Sequence, residues 1–186
     1  MLRIIGGTWR GRRFRFSAEA DIRPTPDRVR ETLFNWLAAR VAQARCLDLC
    51  AGSGALGLEA LSRGAARVHF VESDGHAVSD LRARLIEWGA QGATVERIDT
   101  LRYLRSKPEA FDIVFLDPPY AAGLLSSAAQ LLEDREWLAP GALIYVENAA
   151  RTPLPELPAT WHLAKTKRAG EVGYHLFVKG APGGDT

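Results

Sequence analysis

Cysteine is scarce in this chain of 186 residues, with Cys46 and Cys50 as the whole complement. Two thiols four positions apart, with no Cys or His cluster to complete a tetrahedron, do not make a zinc site, so no metal is expected and both read as buried free thiols. Long apolar runs are missing as well. None approaches the roughly 20 residues that a membrane span needs, and Met1-Leu2-Arg3-Ile4-Ile5-Gly6-Gly7 lacks the apolar stretch of a signal peptide, so a cytoplasmic protein is expected. Internal repeats and low-complexity segments are absent too. Catalytic spacing is not found among His69, His76, His162 and His175, which read as surface or packing residues. What remains, 47% hydrophobic and 25% charged residues, is the composition of a soluble globular domain and excludes a disordered or fibrous chain. The length corresponds to one core.

Net charge is only +2, but its distribution is uneven. Residues 1–30 hold eight arginines against three acids, a local +5, while the remaining residues hold 16 basic and 19 acidic side chains, a local −3. Arg10, Arg12, Arg13 and Arg15 are interleaved with Trp9, Phe14 and Phe16. Such a pattern suits a surface that grips phosphates and stacks on exposed bases, although a solvated amphipathic hairpin produces it equally well. Leu2 to Gly7 and Arg12 to Phe16 read as two short strands around a glycine turn. An extended stretch follows at Arg23-Pro24-Thr25-Pro26, and then apolar positions at helical spacing from Asp27 to Arg40, with Thr25 or Asp27 available as a cap.

From Arg45 onward β-rich and helical runs alternate. Strands are expected at Arg45–Leu49, Arg67–Glu72, Thr94–Asp99, Ile113–Asp117 and Leu143–Glu147. Helices are expected at Ala55–Arg63, Gly75–Trp88, Thr100–Ser106 and Leu124–Leu138. This is the rhythm of βαβ units around a doubly wound, mostly parallel sheet, an α/β fold. Beyond the proline-rich 153–158 segment, Trp161–Lys167 and Tyr174–Lys179 flank a glycine turn and predict an antiparallel hairpin at one sheet edge. The expected divisions are an N-terminal β-hairpin and helix extension over 1–40, a main domain over 41–180 and a frayed tail over 181–186.

Leu47-Asp48-Leu49-Cys50-Ala51-Gly52-Ser53-Gly54-Ala55-Leu56-Gly57 runs from an apolar strand through a glycine turn into a helix. Glycines let the backbone approach a ligand closely at the crevice where open α/β sheets bind nucleotides, so an adenosine-like cofactor is expected. Gly52-x-Gly54-x-x-Gly57, with Glu72 about 20 residues on, also satisfies the dinucleotide fingerprint, and the segment alone leaves NAD open. Asp48 favours a different ligand: a carboxylate here can hold the ammonium of a methionine moiety but repels a pyrophosphate. Glu72 is placed to accept from ribose hydroxyls and Asp99 from an adenine amino group, unless each merely caps the following helix. Ala51, Ser53, Ser73 and Thr100 lie in the same loops and complete the candidate cofactor contacts.

Asp117-Pro118-Pro119-Tyr120 follows the apolar run Phe111–Leu116 at the same sheet edge. An exocyclic amine on a purine is a poor nucleophile because its lone pair is delocalised into the ring, and acceptors that draw it toward a tetrahedral geometry correct this. The Asp117 carboxylate can accept one amino hydrogen and the Pro118 carbonyl the other, in a turn stiffened by two prolines, while Tyr120 offers a face for stacking. Transfer of a methyl group from sulfonium to nitrogen is an in-line displacement that rests on alignment and preorganised acceptors.

On these segments the chain resembles the RsmD-type family of bacterial 16S ribosomal RNA guanine-N2 methyltransferases. The resemblance covers nearly the whole length and is carried by Arg3–Gly7 with Trp9–Arg12, Arg23-Pro24-Thr25 with Asp27–Leu37, Ala51–Ala60 and Asp117-Pro118-Pro119. It implies a Rossmann-like class I methyltransferase fold, S-adenosylmethionine as donor, and a guanine amino group in 16S rRNA of the small subunit or an assembly intermediate as acceptor. It further implies Asp48, Gly52, Ser53, Gly54 and Glu72 as cofactor contacts, and Asp117 to Tyr120 as the base site. Arg10, Arg12, Arg13, Arg23, Thr25 and Arg28 become candidate substrate contacts, since a guanine must be drawn out of folded RNA before its amine meets a sulfonium. A monomer is expected. Three other readings stay open: an adenine-N6 methyltransferase on DNA or RNA, an NAD-dependent oxidoreductase, and a non-catalytic RNA-binding module.

Overall fold

The computed structural model describes residues 1–16, 24–119 and 123–180. Its centre is a seven-stranded sheet in the order β5-β4-β3-β6-β7-β9-β8. Here β3 is Arg45–Leu49, β4 Arg67–Glu72, β5 Ala93–Arg97, β6 Phe111–Leu116, β7 Leu138–Ala149, β8 Trp161–Ala169 and β9 Val172–Lys179. β5, β4, β3, β6 and β7 run parallel, and β9 pairs antiparallel with both β7 and β8. The expected hairpin is thus present. Its second strand, however, lies inside the sheet against β7, and β8 is the edge.

Alternation along the strands makes two cores, one on each face of the sheet. Cys46, Phe70, Phe115, Tyr145 and Tyr174 pack under α1 (Asp27–Trp36), α2 (Ala55–Ser62) and α3 (Gly75–Glu87). Leu47, Val71, Val114, Ile144 and Phe177 pack under α4 (Thr100–Leu104) and α5 (Leu124–Asp134). Helices on both faces of a mostly parallel sheet make the fold doubly wound, as the βαβ rhythm predicts. None of the described helices is long and apolar enough to cross a membrane.

Several elements differ from expectation, among them β7, which begins at Leu138 rather than Leu143, and β5, which ends at Arg97 rather than Asp99. The N-terminal strands shrink to β1 Leu2–Arg3 and β2 Arg13–Phe14. The cause is Glu59, fully buried in α2, whose carboxylate accepts from the Ile5 and Gly6 amides at 2.9 and 2.8 Å and draws the chain away from the ladder. The first helix ends at Trp36 rather than Arg40, and neither Thr25 nor Asp27 caps it: Pro26 occupies the cap position, Asp27 pairs with Arg3 and Arg30, and Thr25 turns to the sheet. α5 stops at Asp134 rather than Leu138. Glu136 adopts a left-handed φ of 60°, which turns Trp137 inward to donate from Nε1 to the Leu104 carbonyl at 3.0 Å.

Candidate active site

The sequence places an acid at or just beyond the tip of four successive parallel strands. Glu72 ends β4, Asp48 lies one residue before the end of β3, Asp117 follows β6, and Glu147 lies near the end of β7. All four fall on the sheet face that carries α1 to α3: each is an even step along its strand from residues of that core, such as Phe70, Cys46, Phe115 and Tyr145. Parallel register brings these tips to one edge, where open α/β sheets bind their ligands.

The glycine turn between β3 and α2 is built for close approach. Cys50, Gly52 and Gly54 have φ of 58°, 52° and 74°, and a Cβ on Gly54 would meet Leu81 at 2.6 Å. Gly52 N donates to Glu72 Oε2 at 2.7 Å, and Asp74 N to Glu72 Oε1 at 2.9 Å, so the acid expected to reach a ribose also ties the two loops together. Asp48 accepts from the Gly57 amide at 2.9 Å, at the start of α2. Burial pushes its carboxyl up to about 8, with the Gly57 bond opposing the shift and Glu72 adding to it. Ala51 N donates to the Val71 carbonyl, and Ser53 is buried with its carbonyl toward the guanidinium of Arg84 at 3.4 Å. Thr100 is buried and its hydroxyl lies 3.1 Å from Cys50 Sγ, which joins the third loop to the glycine turn. Ser73 is exposed, with its hydroxyl 3.5 Å from Glu72. Asp99 acts as a cap: its Oδ1 accepts from the Arg102 amide at 3.0 Å and it stands at the head of α4.

Asp117 is half-buried, Pro118 buried and Pro119 exposed; Tyr120 lies outside the described residues. Across from Asp117 is Glu147, an acid that the sequence reading left out. Its Oε1 accepts from the hydroxyls of Thr25 and Tyr145, each at 2.7 Å, and Thr25 Oγ1 also lies 3.4 Å from Asp117 Oδ2. Burial, then the charges of Glu147 and Asp48, hold the Asp117 carboxyl well above the usual range, and the Thr25 hydroxyl works against the shift. Burial also raises Glu147, opposed by its two hydroxyl donors. Thr25 therefore meets the site through its acids. The signal for Glu147 was present in the sequence: like Asp117, it ends an apolar β run.

The candidate substrate arginines are spread along the N-terminal extension. Arg10, Arg12, Arg13 and Arg28 are exposed, and Arg23 lies outside the described residues. Arg12 stands over Trp88 with its guanidinium carbon 5.5 Å from the ring centroid. Two of the interleaved aromatics, Trp9 and Phe14, pack within the protein. Phe14 is buried, Trp9 and Phe14 pack on Trp88 with centroids 5.2 and 5.7 Å away, and Arg84 lies over Phe14 at 4.4 Å. These rings fasten the hairpin to α3. Beside them an open groove of about 600 Å³ runs between Arg13–Phe16 and the face of α3 that carries Asp80 and Arg84, with Trp88 just past the helix end.

A family model described as conserved hypothetical protein 95 matches residues 2–178. Ribosomal RNA small subunit methyltransferase D of Escherichia coli (strain K12) is 48% identical over 182 residues, covering 98% of this chain and 92% of the relative. The protein of the same name from Haemophilus influenzae is 44% identical, covering 95% and 93%. Among solved structures, a putative methyltransferase yhhF from Escherichia coli superposes with a TM-score of 0.92 at 47% identity, covering 97% of this chain and 99% of that one. Likeness of this extent, spanning the N-terminal extension, the glycine turn and the Asp-Pro-Pro tip alike, places the chain in the family of ribosomal RNA small subunit methyltransferase D.

Proposed function

We propose that this chain transfers the methyl group of S-adenosylmethionine to the exocyclic N2 amine of a guanine in 16S rRNA. The observation that carries the reading is the row of acids Glu72, Asp48, Asp117 and Glu147 along one sheet edge, beside a glycine turn of left-handed backbone. A bound cation favours the ionised form of Asp48 and Asp117, so such an edge suits a ligand bearing an ammonium and a sulfonium better than the pyrophosphate of a dinucleotide, which disfavours the oxidoreductase reading. S-adenosylmethionine supplies a methyl group made electrophilic by its sulfonium. Asp48 holds the ammonium end, Glu72 accepts from the ribose, and the backbone of Ala51, Gly52, Ser53 and Gly54 lines the turn, with Ser73, Asp99 and Thr100 at its rim.

Asp117 accepts one hydrogen of the target amine and the Pro118 carbonyl the other, while Tyr120 stacks on the base. The raised basicity of Asp117, due to its burial and to Glu147, suits it to take the proton that the methylated amine must lose. In this reading residues 1–40 form an RNA-contacting extension on a methyltransferase domain at 41–180. Arg10, Arg12, Arg13, Arg23 and Arg28 then meet phosphates, and the small subunit or an assembly intermediate is the substrate of a cytoplasmic, monomeric enzyme.

The test is radiolabelled methyl transfer to small subunits that lack the modification, followed by nucleoside analysis of the product. N2-methylguanosine is expected, and conversion of Asp117→Ala lowers turnover at least about a hundredfold. A methylated adenosine as product refutes the guanine assignment, and unchanged turnover in Asp117→Ala refutes the site.

A further inference from the structure

β8 differs from every other strand of the sheet. From His162 to Arg168 each residue is exposed, so the strand is bare on both faces. It carries Lys165, Lys167 and Arg168 and no acid. The opposite edge strand, β5, carries one acid and one base in Glu96 and Arg97. Charge on an edge strand, lysine above all, guards against edge-to-edge pairing. Three cations within four residues, at the sheet edge that carries the site, fit a second role beside that one. Among the described residues neither lysine has a carboxylate partner, and the nearby Glu171 is paired with Arg151 at 3.5 Å.

Register fixes where these cations lie. Lys167 is opposite Tyr174 on β9, Tyr174 is opposite Glu147 on β7, and Asp117 is one residue beyond the Leu116–Val146 pair on β6. Lys165 likewise lines up with Leu176 and then Tyr145. Residues directly opposite each other share a sheet face, so Lys165 and Lys167 lie on the face of Tyr145, Glu147 and Asp117, at the carboxyl edge. Three strand spacings of about 4.8 Å put Lys167 roughly 14 Å from Asp117 along that edge.

We propose that the basic run on β8 is a phosphate-binding strip for the RNA strand that flanks the target base, on the side of the site opposite the N-terminal arginines. The inference rests on the RNA methyltransferase reading above and adds a second, separate contact region to it. Lysines without partners on a flexible stem act as point charges for phosphate, and the bare strand leaves the backbone of an incoming chain room on either face. Base identity is not read there, so the strip contributes affinity and register.

The experiment compares the parent with a Lys165→Gln/Lys167→Gln/Arg168→Gln variant for KM toward 16S rRNA substrate at several salt concentrations. Turnover at saturating RNA and affinity for S-adenosylmethionine serve as controls for the site itself. Loss of three single-strand phosphate contacts lowers the slope of log affinity against log salt by about 2, so the parent's advantage shrinks roughly 16-fold between 50 and 200 mM salt. The saturated rate and cofactor affinity stay at the parent's values. Should the triple variant self-associate, the single Lys167→Gln variant is read instead, with an expected slope change of about 0.7. A variant with the parent's KM and slope overturns the strip while the parent's methylation of RNA still stands. A parent that methylates no RNA overturns both proposals together.

Discussion

Replacing Glu59 by alanine tests how the N-terminal extension is held, and the cost follows from what the carboxylate touches. Glu59 is fully buried and accepts from the Ile5 and Gly6 amides at 2.9 and 2.8 Å and from Arg63 Nε at 2.9 Å, with Arg30 Nη1 3.6 Å away. Alanine leaves two backbone donors and part of the Arg30 charge without an acceptor in a closed interior. Arg30 itself is fully buried, yet it keeps Asp27 at 2.5 Å and the carbonyls of Arg3 and Thr25, which limits the damage. Breaking a buried ionic contact from one side costs about 3–5 kcal/mol. A glutamine keeps one acceptor and loses the charge, for about 1.5–3 kcal/mol. In a protein of this size each kcal/mol lowers the melting temperature by roughly 2–4 °C, so Glu59→Ala is expected to melt about 6–20 °C below the parent. Circular dichroism follows the melt, and urea titration supplies the free energy. If the alanine variant lies within about 1 kcal/mol of the parent, the clamp assigned to Glu59 is wrong.

Gly7→Ala is expected to fold poorly, because its φ is 78° and an added Cβ would sit 1.8 Å from the Ser62 carbonyl, whereas Gly11→Ala, with φ of 83° and open space around it, costs only about 1–2 kcal/mol; equal melting temperatures for the two variants would contradict this. Asp48, raised from 3.8 to about 8, keeps its proton in the folded state over that interval while the unfolded chain releases it, so stability is greatest at the acid end, falls by up to about 1.4 kcal/mol per pH unit between the two values and is flat above them. Asp48→Asn removes Asp48's share of the decline in cofactor-free protein and leaves that of Asp117 and Glu147, so urea titrations at pH 5 and pH 8.5 show a smaller difference than in the parent. Thr25→Val deprives Glu147 of a buried donor at 2.7 Å and destabilises by about 1–3 kcal/mol, while Thr25→Ser retains the bond; identical stabilities and turnover for the two variants would remove Thr25 from the site.

The sheet was legible because its signal is short-range: apolar runs of five or six residues, each ended by an acid or a glycine, recur between helical stretches. The same local signal marked Asp48, Glu72 and Asp117, and the structure gathers them at one edge. Partner choice across the chain was not legible. Nothing in the run Ala55–Ser62 shows that Glu59 turns inward to meet Ile5 and Gly6 more than 50 positions away. Trp9 and Phe14 suit base stacking as well as they suit packing on Trp88, and only the fold decides for the latter. Asp99 has the same position at a strand exit as Glu72, but β5 ends two residues earlier, at Arg97, which leaves room for Asp99 to turn and cap α4. Pairing order in the C-terminal hairpin is also invisible locally, since either of its strands has the alternation to lie against β7.

That pairing order has a consequence for how the molecule comes into being. β9, which covers one flank of β7, is made after both β7 and β8, so the neighbourhood of Glu147 stays open on that flank until Val172–Lys179 has been added. A product stopped short of Val172 would carry every residue assigned to chemistry and still lack the wall that holds the fourth acid in place. In this molecule β9 is a condition for the site, and termination anywhere before it yields a chain without a finished crevice.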